Sequence, residues 1–403
     1  MLSPESQQKC SFIKDGTLIF NEDGHILYCG QRKHAPLLGS TRIQVPGDAF
    51  IIPGQIDCHT HLSQYYVRGR SGDTLLGWLK NHIFPAERKF KDPKHAAQVS
   101  RKFYHRLLSN GITCAALYTN YGAGVRAAFD QAEKAGIRAM VGYTLMDRNV
   151  PKELKQDPKT VMEECRELYE RFHRPSDRLY FSVNPRFVPA CSPGLLRAAG
   201  DFAGKYDVHI QTHISENLQE LAEVKKAFPK IKSYAEVYDR FGLLTPKTLL
   251  AHGIHLSPAE RKLIHQRDCG MVHCPSSNLF LHSGRFPAEH WEKYPRLALG
   301  SDVGAGPSFS LFDVMRDAYY VNIMPLARLF YLATLGGART LGLEKTIGSL
   351  QAGKQADFSV IRLSDLQDPG AEELLYDLIF KWDQREILQV YVAGQKVWPL
   401  PGN

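Results

Sequence analysis

The stretch Pro53-Gly54-Gln55-Ile56-Asp57-Cys58-His59-Thr60-His61 decides how the rest of the chain is read. A Pro-Gly turn leads into a β-rich run that ends on two histidines, two residues apart. Side chains at i and i+2 of a strand share a face, so His59 and His61 can turn to one side and hold one cation. The C-terminal end of a strand is where an α/β barrel keeps its active site. The remaining sequence is therefore searched for further strands and for side chains that meet this pair.

β-rich runs recur at 51–61, 112–120, 137–147, 179–187, 209–216, 248–256, 270–278 and 296–304. Helical signals fill most of the gaps. Asp92 reads as an N-cap with Pro93 in the first turn, Ala96, Val99, Phe103 and Leu107 recur on one face, and Asn110-Gly111 stops the segment. Ser257-Pro258-Ala259-Glu260 is a capping box with proline in the first turn. Eight strands alternating with helices predict an α/β fold of the TIM (β/α)8 barrel type over residues 51–344. The flanks differ: 11–49 and 349–399 read as short strands broken by turns such as Asp23-Gly24, Gln351-Ala352-Gly353-Lys354 and Val392-Ala393-Gly394-Gln395. Residues 1–50 and 345–403 are expected to pair into one small flanking β-sandwich built from both chain ends, a discontinuous domain with the barrel inserted in it.

Composition agrees with an enzyme-sized globule. Of 403 residues, 43% are hydrophobic and 23% charged, with no internal repeat or low-complexity tract. The net charge of +8 comes from 50 basic residues interleaved with 42 acidic ones, and without a basic block no nucleic-acid partner is expected. No basic leader precedes an apolar run, and no apolar segment approaches the ~20 residues that span a bilayer, so no membrane partner and a cytoplasmic location are expected. Eight cysteines, Cys10, Cys29, Cys58, Cys114, Cys165, Cys191, Cys269 and Cys274, form no C-x-x-C pair, which predicts reduced thiols and no cysteine-ligated metal.

Three more candidate ligands stand at the ends of later runs: His213 in Thr212-His213-Ile214-Ser215-Glu216, His252 in Ala251-His252-Gly253, and Asp302 in Gly300-Ser301-Asp302. In a barrel these ends converge on one mouth. Imidazoles and a carboxylate suit a borderline divalent ion and leave room for a water. Glu216, three residues beyond His213, can reach the same site without coordinating and serve as general acid and base. His255 is expected to be structural or to support the site, His265 and His282 to lie in helix or loop, and His273 to buttress the site by hydrogen bonding. None of these four is expected to be a ligand.

Taken in order, these residues resemble the amidohydrolase superfamily, and most closely its guanine-deaminating members. The resemblance runs over about residues 15–397 and is most specific in Asp57-Cys58-His59-Thr60-His61-Leu62-Ser63-Gln64-Tyr65, in Trp78 with Phe84-Pro85-Ala86-Glu87, and in Pro185-Arg186-Phe187. His213-Ile214-Ser215-Glu216-Asn217, His273-Cys274-Pro275-Ser276-Ser277-Asn278-Leu279 and Ala333-Thr334-Leu335-Gly336-Gly337 extend it. It implies metal ligands at His59, His61, His213 and Asp302, catalytic roles for Glu216, His252 and Asp302, and purine contacts from Gln64, Arg186 and Phe187, with His213, Glu216 and Asp302 also touching the substrate. Binuclear relatives bridge two ions with a strand-four lysine, which 179–187 lacks, so one divalent ion per subunit is expected, Zn2+ first and Fe2+ next. The implied reaction is hydrolytic deamination of guanine to xanthine and ammonia by a metal-activated hydroxide, in a homodimer.

Alternative readings are a related amidohydrolase acting on 8-oxoguanine, a pterin, a triazine or an adenosine derivative, and a metal-free scaffold. The zinc deaminases of cytidine require H-x-E followed by P-C-x-x-C, and neither element is present. Two departures from the family pattern stand out. The N-terminus reads as short, which places the first strand of the sandwich in question, and Ser301 stands where threonine is commoner.

Overall fold

Eight parallel strands form a single sheet in strict chain order. They are β1 (Gln55–His61), β2 (Ile112–Thr119), β3 (Arg138–Leu145), β4 (Leu179–Pro185), β5 (His209–Ile214), β6 (Thr248–His252), β7 (Gly270–His273) and β8 (Leu297–Leu299). The computed structural model describes all residues except 38–43, 71–74, 175–177, 365–369, 382, 384 and 400–403. Every residue of β2, β3 and β4 is buried, as expected of parallel strands covered by helices on one side and by the barrel interior on the other. The sheet closes beyond the end of β8, where Asp302 donates its N–H to the His59 carbonyl (2.8 Å) and His61 donates to the Val303 carbonyl (2.7 Å). The eight-stranded barrel expected from the sequence is thus present.

The helices begin and end for local reasons. Asp92 accepts from the Lys94 N–H at the start of Pro93–Ser109, which buries Ala96, Val99, Phe103 and Leu107. The Ser257 and Glu260 side chains close a reciprocal capping box on Pro258–Gln266, satisfying two N–H groups that the helix leaves free.

The run expected as one strand at 51–61 divides at Gly54. Ala49–Pro53 joins the flanking sheet, while the barrel strand starts at Gln55. Gly54 allows the division because its N–H bonds the Asp357 carbonyl (2.9 Å), and a Cβ there would lie 2.0 Å from Thr113 Oγ1. The flanking sheet is antiparallel and takes strands from both ends of the chain: Ala49–Pro53, Phe358–Leu363, Arg385–Val392 and Gln395–Trp398. A hairpin of Gly16–Phe20 and Ile26–Gln31 packs beside it, with the Phe20 ring against Phe358 and Tyr391. Leu2–Ser6 pairs with Lys9–Phe12, so the opening residues do form a strand.

One buried ion pair ties barrel to sheet. Arg138 on β3 donates Nε and Nη2 to the Asp357 carboxylate (3.2 and 3.3 Å), and both side chains are almost fully enclosed. Arg138→Met is expected to lower stability by about 3–5 kcal/mol, since it strands a buried carboxylate. Urea or thermal unfolding checks this, and per-molecule activity of the folded variant should be kept because the pair belongs to the junction between the two sheets.

Candidate active site

His59 and His61 leave β1 on one face, and Asp302 meets both: its Oδ1 lies 3.3 Å from His59 Nε2 and 3.2 Å from His61 Nε2. His213, at the end of β5, brings its Nε2 to 3.3 Å from that of His61. His252, the last residue of β6, points its Nε2 at Glu216 Oε2 (3.6 Å) and Asp302 Oδ2 (3.8 Å). Six side chains from four strand ends are therefore gathered at one rim. Ser215, His252 and Asp302 all hold positive φ (50°, 72° and 46°), a costly conformation for residues with side chains that the surrounding structure must enforce. It turns the chain sharply at each strand end and presents the next polar group to the cavity.

Neighbouring groups fix how each ring faces. The Arg186 carbonyl accepts from His213 Nδ1 (2.6 Å), and Asn278 Oδ1 accepts from His252 Nδ1 (2.9 Å), so both Nε2 atoms turn inward. Asp57, wholly buried, receives the Ser301 N–H (2.9 Å) and its hydroxyl, which anchors the residue before Asp302. Serine at position 301 supplies that hydroxyl as threonine would. Ser283 Oγ donates to Glu216 Oε1 (3.1 Å), and His255 Nε2 in turn holds the Ser283 carbonyl (3.0 Å).

Burial holds His59 down to about 4 and His213 well below the ordinary imidazole value, leaving the neutral rings that ligate metals. For Asp302, burial pushes upward, yet the close approach of the His59 and His61 rings outweighs it and holds the carboxyl well below its usual range. Glu216 is shifted upward by burial, only partly offset by His252. His252 is pushed down by burial but ends raised, because Glu216 and Asp302 outweigh it. Glu216 and His252 are therefore both shifted toward their protonated forms beside an ionised Asp302.

The cluster also passes a fit test for a cation. His59, His61 and Asp302 place one donor atom each within 4.8 Å of one another, and so do His59, His213 and His252. The Nε2 atoms of His59 and His252 are buried without a hydrogen-bond partner, a cost that a shared divalent ion would remove. Three imidazoles and a carboxylate are a donor set for zinc or another borderline metal.

A cavity opens in front of the cluster, enclosing about 400 Å³ when solvent at its mouth is counted. Its walls include His61, His213, Glu216, His252 and Asp302 together with Gln64, Arg186 and Phe187. Leu75, Trp78, Leu79 and Leu281 complete the lining, and sequence reasoning assigned none of them a role. The first three belong to a segment in which Leu75–Trp78 runs into a wider π turn at Leu79–Ile83, a departure common at functional sites. His273 differs from expectation. Its ring stacks on Phe286 (centroids 4.5 Å apart) and its Nε2 lies 3.4 Å from Asn322 Nδ2, so it bonds none of the clustered residues. His265 stacks on Tyr294, away from the cavity.

The model of the Amidohydrolase family matches residues 50–397. This chain belongs to the amidohydrolase family. The guanine deaminase of Escherichia coli (strain K12) is similar to this amidohydrolase at 34% identity over 405 residues, covering 96% of the chain and 92% of the relative. Among solved structures, guanine deaminase from C. acetobutylicum with bound guanine superposes with a TM-score of 0.93 at 33% identity, covering 98% of this amidohydrolase and 97% of that chain. An adenosine deaminase from Xanthomonas campestris with bound zinc superposes with a TM-score of 0.84 at 25% identity, covering 98% and 90% respectively.

Proposed function

We propose that this amidohydrolase deaminates guanine hydrolytically, giving xanthine and ammonia. The carrying observation is that Arg186 and Gln64 line the same cavity as the histidine–aspartate cluster and Glu216. A flat neutral base whose acceptor edge meets the guanidinium and amide would lie with its opposite, amino-bearing end toward the cluster. Phe187 supplies an aromatic surface in the same wall. The similarity to a guanine-bound structure over nearly the whole chain supports the same substrate.

His59, His61, His213 and Asp302 are the residues we assign to the divalent ion, and zinc is the ion that a zinc-bound neighbour and the donor set favour. When bound, such an ion supplies the Lewis acidity that makes water nucleophilic at neutral pH. Asp302, ionised, accepts the proton that water gives up. Glu216, whose carboxyl burial shifts toward the protonated form, passes a proton to the ring nitrogen beside C2 as that carbon is attacked; Asp302 then delivers the proton it took to the departing amino group, and Glu216 regains one from the new C2 hydroxyl as the carbonyl forms. His252, fixed by Asn278 with its Nε2 turned inward, stabilises the charge that develops at the reacting centre. We assign no part in these steps to the flanking domain, and take the barrel from Gln55 onward, within the 51–344 expected from the sequence, as the catalytic domain.

For the cell, we assign a cytoplasmic homodimer. All eight cysteines are unpaired, which supports a reducing compartment, and no helix of the described residues is long and apolar enough to cross a membrane. Exposed Tyr320 and Tyr376 gather around Phe380 as an apolar surface suited to a second copy. Ammonia release from guanine, 8-oxoguanine, adenine, cytosine and a pterin, with and without a chelator, tests the assignment. Guanine should be the preferred substrate, chelation should suppress turnover and an added divalent ion should restore it. Turnover of another base with none of guanine overturns the substrate.

A further inference from the structure

Phe84-Pro85-Ala86-Glu87 is distinctive in the sequence, yet the reaction steps above give Glu87 nothing to do. Its side chain is 1% exposed and accepts four hydrogen bonds. Arg186 Nη1 reaches both carboxylate oxygens at 2.8 Å, Gln64 Nε2 donates to Oε1 at 3.1 Å, and Asn120 Nδ2 donates to Oε2 at 3.3 Å. Ser63 Oγ donates to Asn120 Oδ1 (2.7 Å) and so keeps that amide turned toward the carboxylate. One buried carboxylate thus holds both polar side chains assigned to the base.

We infer that Glu87 is a positioning residue that aims the Arg186 and Gln64 donors at a neutral purine and, by cancelling the guanidinium charge, denies anionic purines an advantage. The inference rests on the reading of Arg186 and Gln64 as base contacts. Two geometric facts carry it. Glu87 takes only Nη1 of Arg186, and among the described residues no acceptor meets Nη2 or Nε, so those hydrogens remain for a ligand in the cavity that Arg186 lines. Gln64 is locked in one orientation, because its Oε1 accepts the Gly304 N–H (3.1 Å) while its Nε2 faces the carboxylate. A flipped amide would set oxygen against oxygen and N–H against N–H.

Charge gives the second half. A bare buried guanidinium would attract any anion of suitable shape, and oxidised purines lose a proton more readily than guanine does. Paired with Glu87, Arg186 offers directed donors with no net charge behind them. Such a wall favours the neutral substrate and weakens the hold on an ionised, product-like ligand.

The test compares Glu87→Gln and Glu87→Asp with the parent enzyme, reading guanine KM and kcat, bound metal, and inhibition by urate, an anionic purine at neutral pH. Glu87→Gln is expected to raise guanine KM by roughly tenfold to a hundredfold, with a smaller change in kcat, unchanged metal and tighter urate inhibition. Glu87→Asp keeps the charge but shortens the reach, so guanine KM should rise while urate stays weak. Unchanged KM and urate inhibition in Glu87→Gln overturn the inference, as does an equal weakening of both ligands. If Glu87→Gln does not fold, Glu87→Asp decides alone: urate tightening in step with guanine loss overturns the charge argument. Arg186→Ala run in parallel separates the two layers. Unchanged guanine KM there removes the base-contact reading and this inference with it, whereas a raised KM beside an unaffected Glu87→Gln removes the role of Glu87 alone.

Discussion

Glu216→Gln is expected to lower kcat for guanine by roughly a thousandfold or more while leaving the metal content intact. Glutamine fills the same volume and can still accept from Ser283 Oγ, which holds Glu216 Oε1 at 3.1 Å. What it cannot do is carry a proton. Burial raises the Glu216 carboxyl, which favours the protonated form that can deliver a proton to the ring. Its Oε2 stands 3.6 Å from His252 Nε2, and it belongs to neither triad of clustered donor atoms. Steady-state ammonia release and metal analysis of the purified variant check both halves. A loss of metal would make Glu216 a ligand, and a drop of only a few-fold would hand the proton transfer to another group.

Arg186→Ala is the second large effect, with guanine kcat/KM expected to fall by about a hundredfold to a thousandfold. Two losses add. The base forfeits charge-assisted donors, and Glu87, 1% exposed, is left without its cation. The variant should also melt earlier for that reason, so activity alone would be an ambiguous readout. Relative turnover of guanine and 2-aminopurine, which lacks O6, resolves the ambiguity. Loss of the Arg186 donors should hurt guanine far more than 2-aminopurine, whereas general damage to the fold would hurt both alike. Bound metal should stay at parent levels, because the contact from this residue to the cluster is made by its backbone carbonyl to His213.

Much of the architecture could be read from the chain because barrel strands leave a repeating local signal. Runs such as 112–120 and 179–187 are dense in apolar residues because both faces of those strands are buried, and capping at Asp92 and Ser257 is chemistry within a few residues. Where tertiary contacts set the boundary, the reading drifted. Strand β8 is only Leu297–Leu299, since the following residues turn through a left-handed Asp302, and the break at Gly54 depends on Asp357, some three hundred residues away. The clustered histidines were legible through their places at strand ends. Glu87 and Asn278 stood in stretches that carried the family resemblance, but their roles were not legible and Ser283 was not marked at all, because each acts by touching a residue distant in sequence and carries no periodicity of its own.

The bonds from Asp302 to His59 and from His61 to Val303 have a consequence for cohesion. The segment that carries the aspartate is also the stitch that joins the last wall stave to the first. Loosening that seam would pull Oδ1 from both imidazoles at once, and drawing the imidazoles together would tighten the seam. Affinity for an ion at the rim and resistance of the cylinder to opening are, on this geometry, one linked equilibrium, and each must change when the other does.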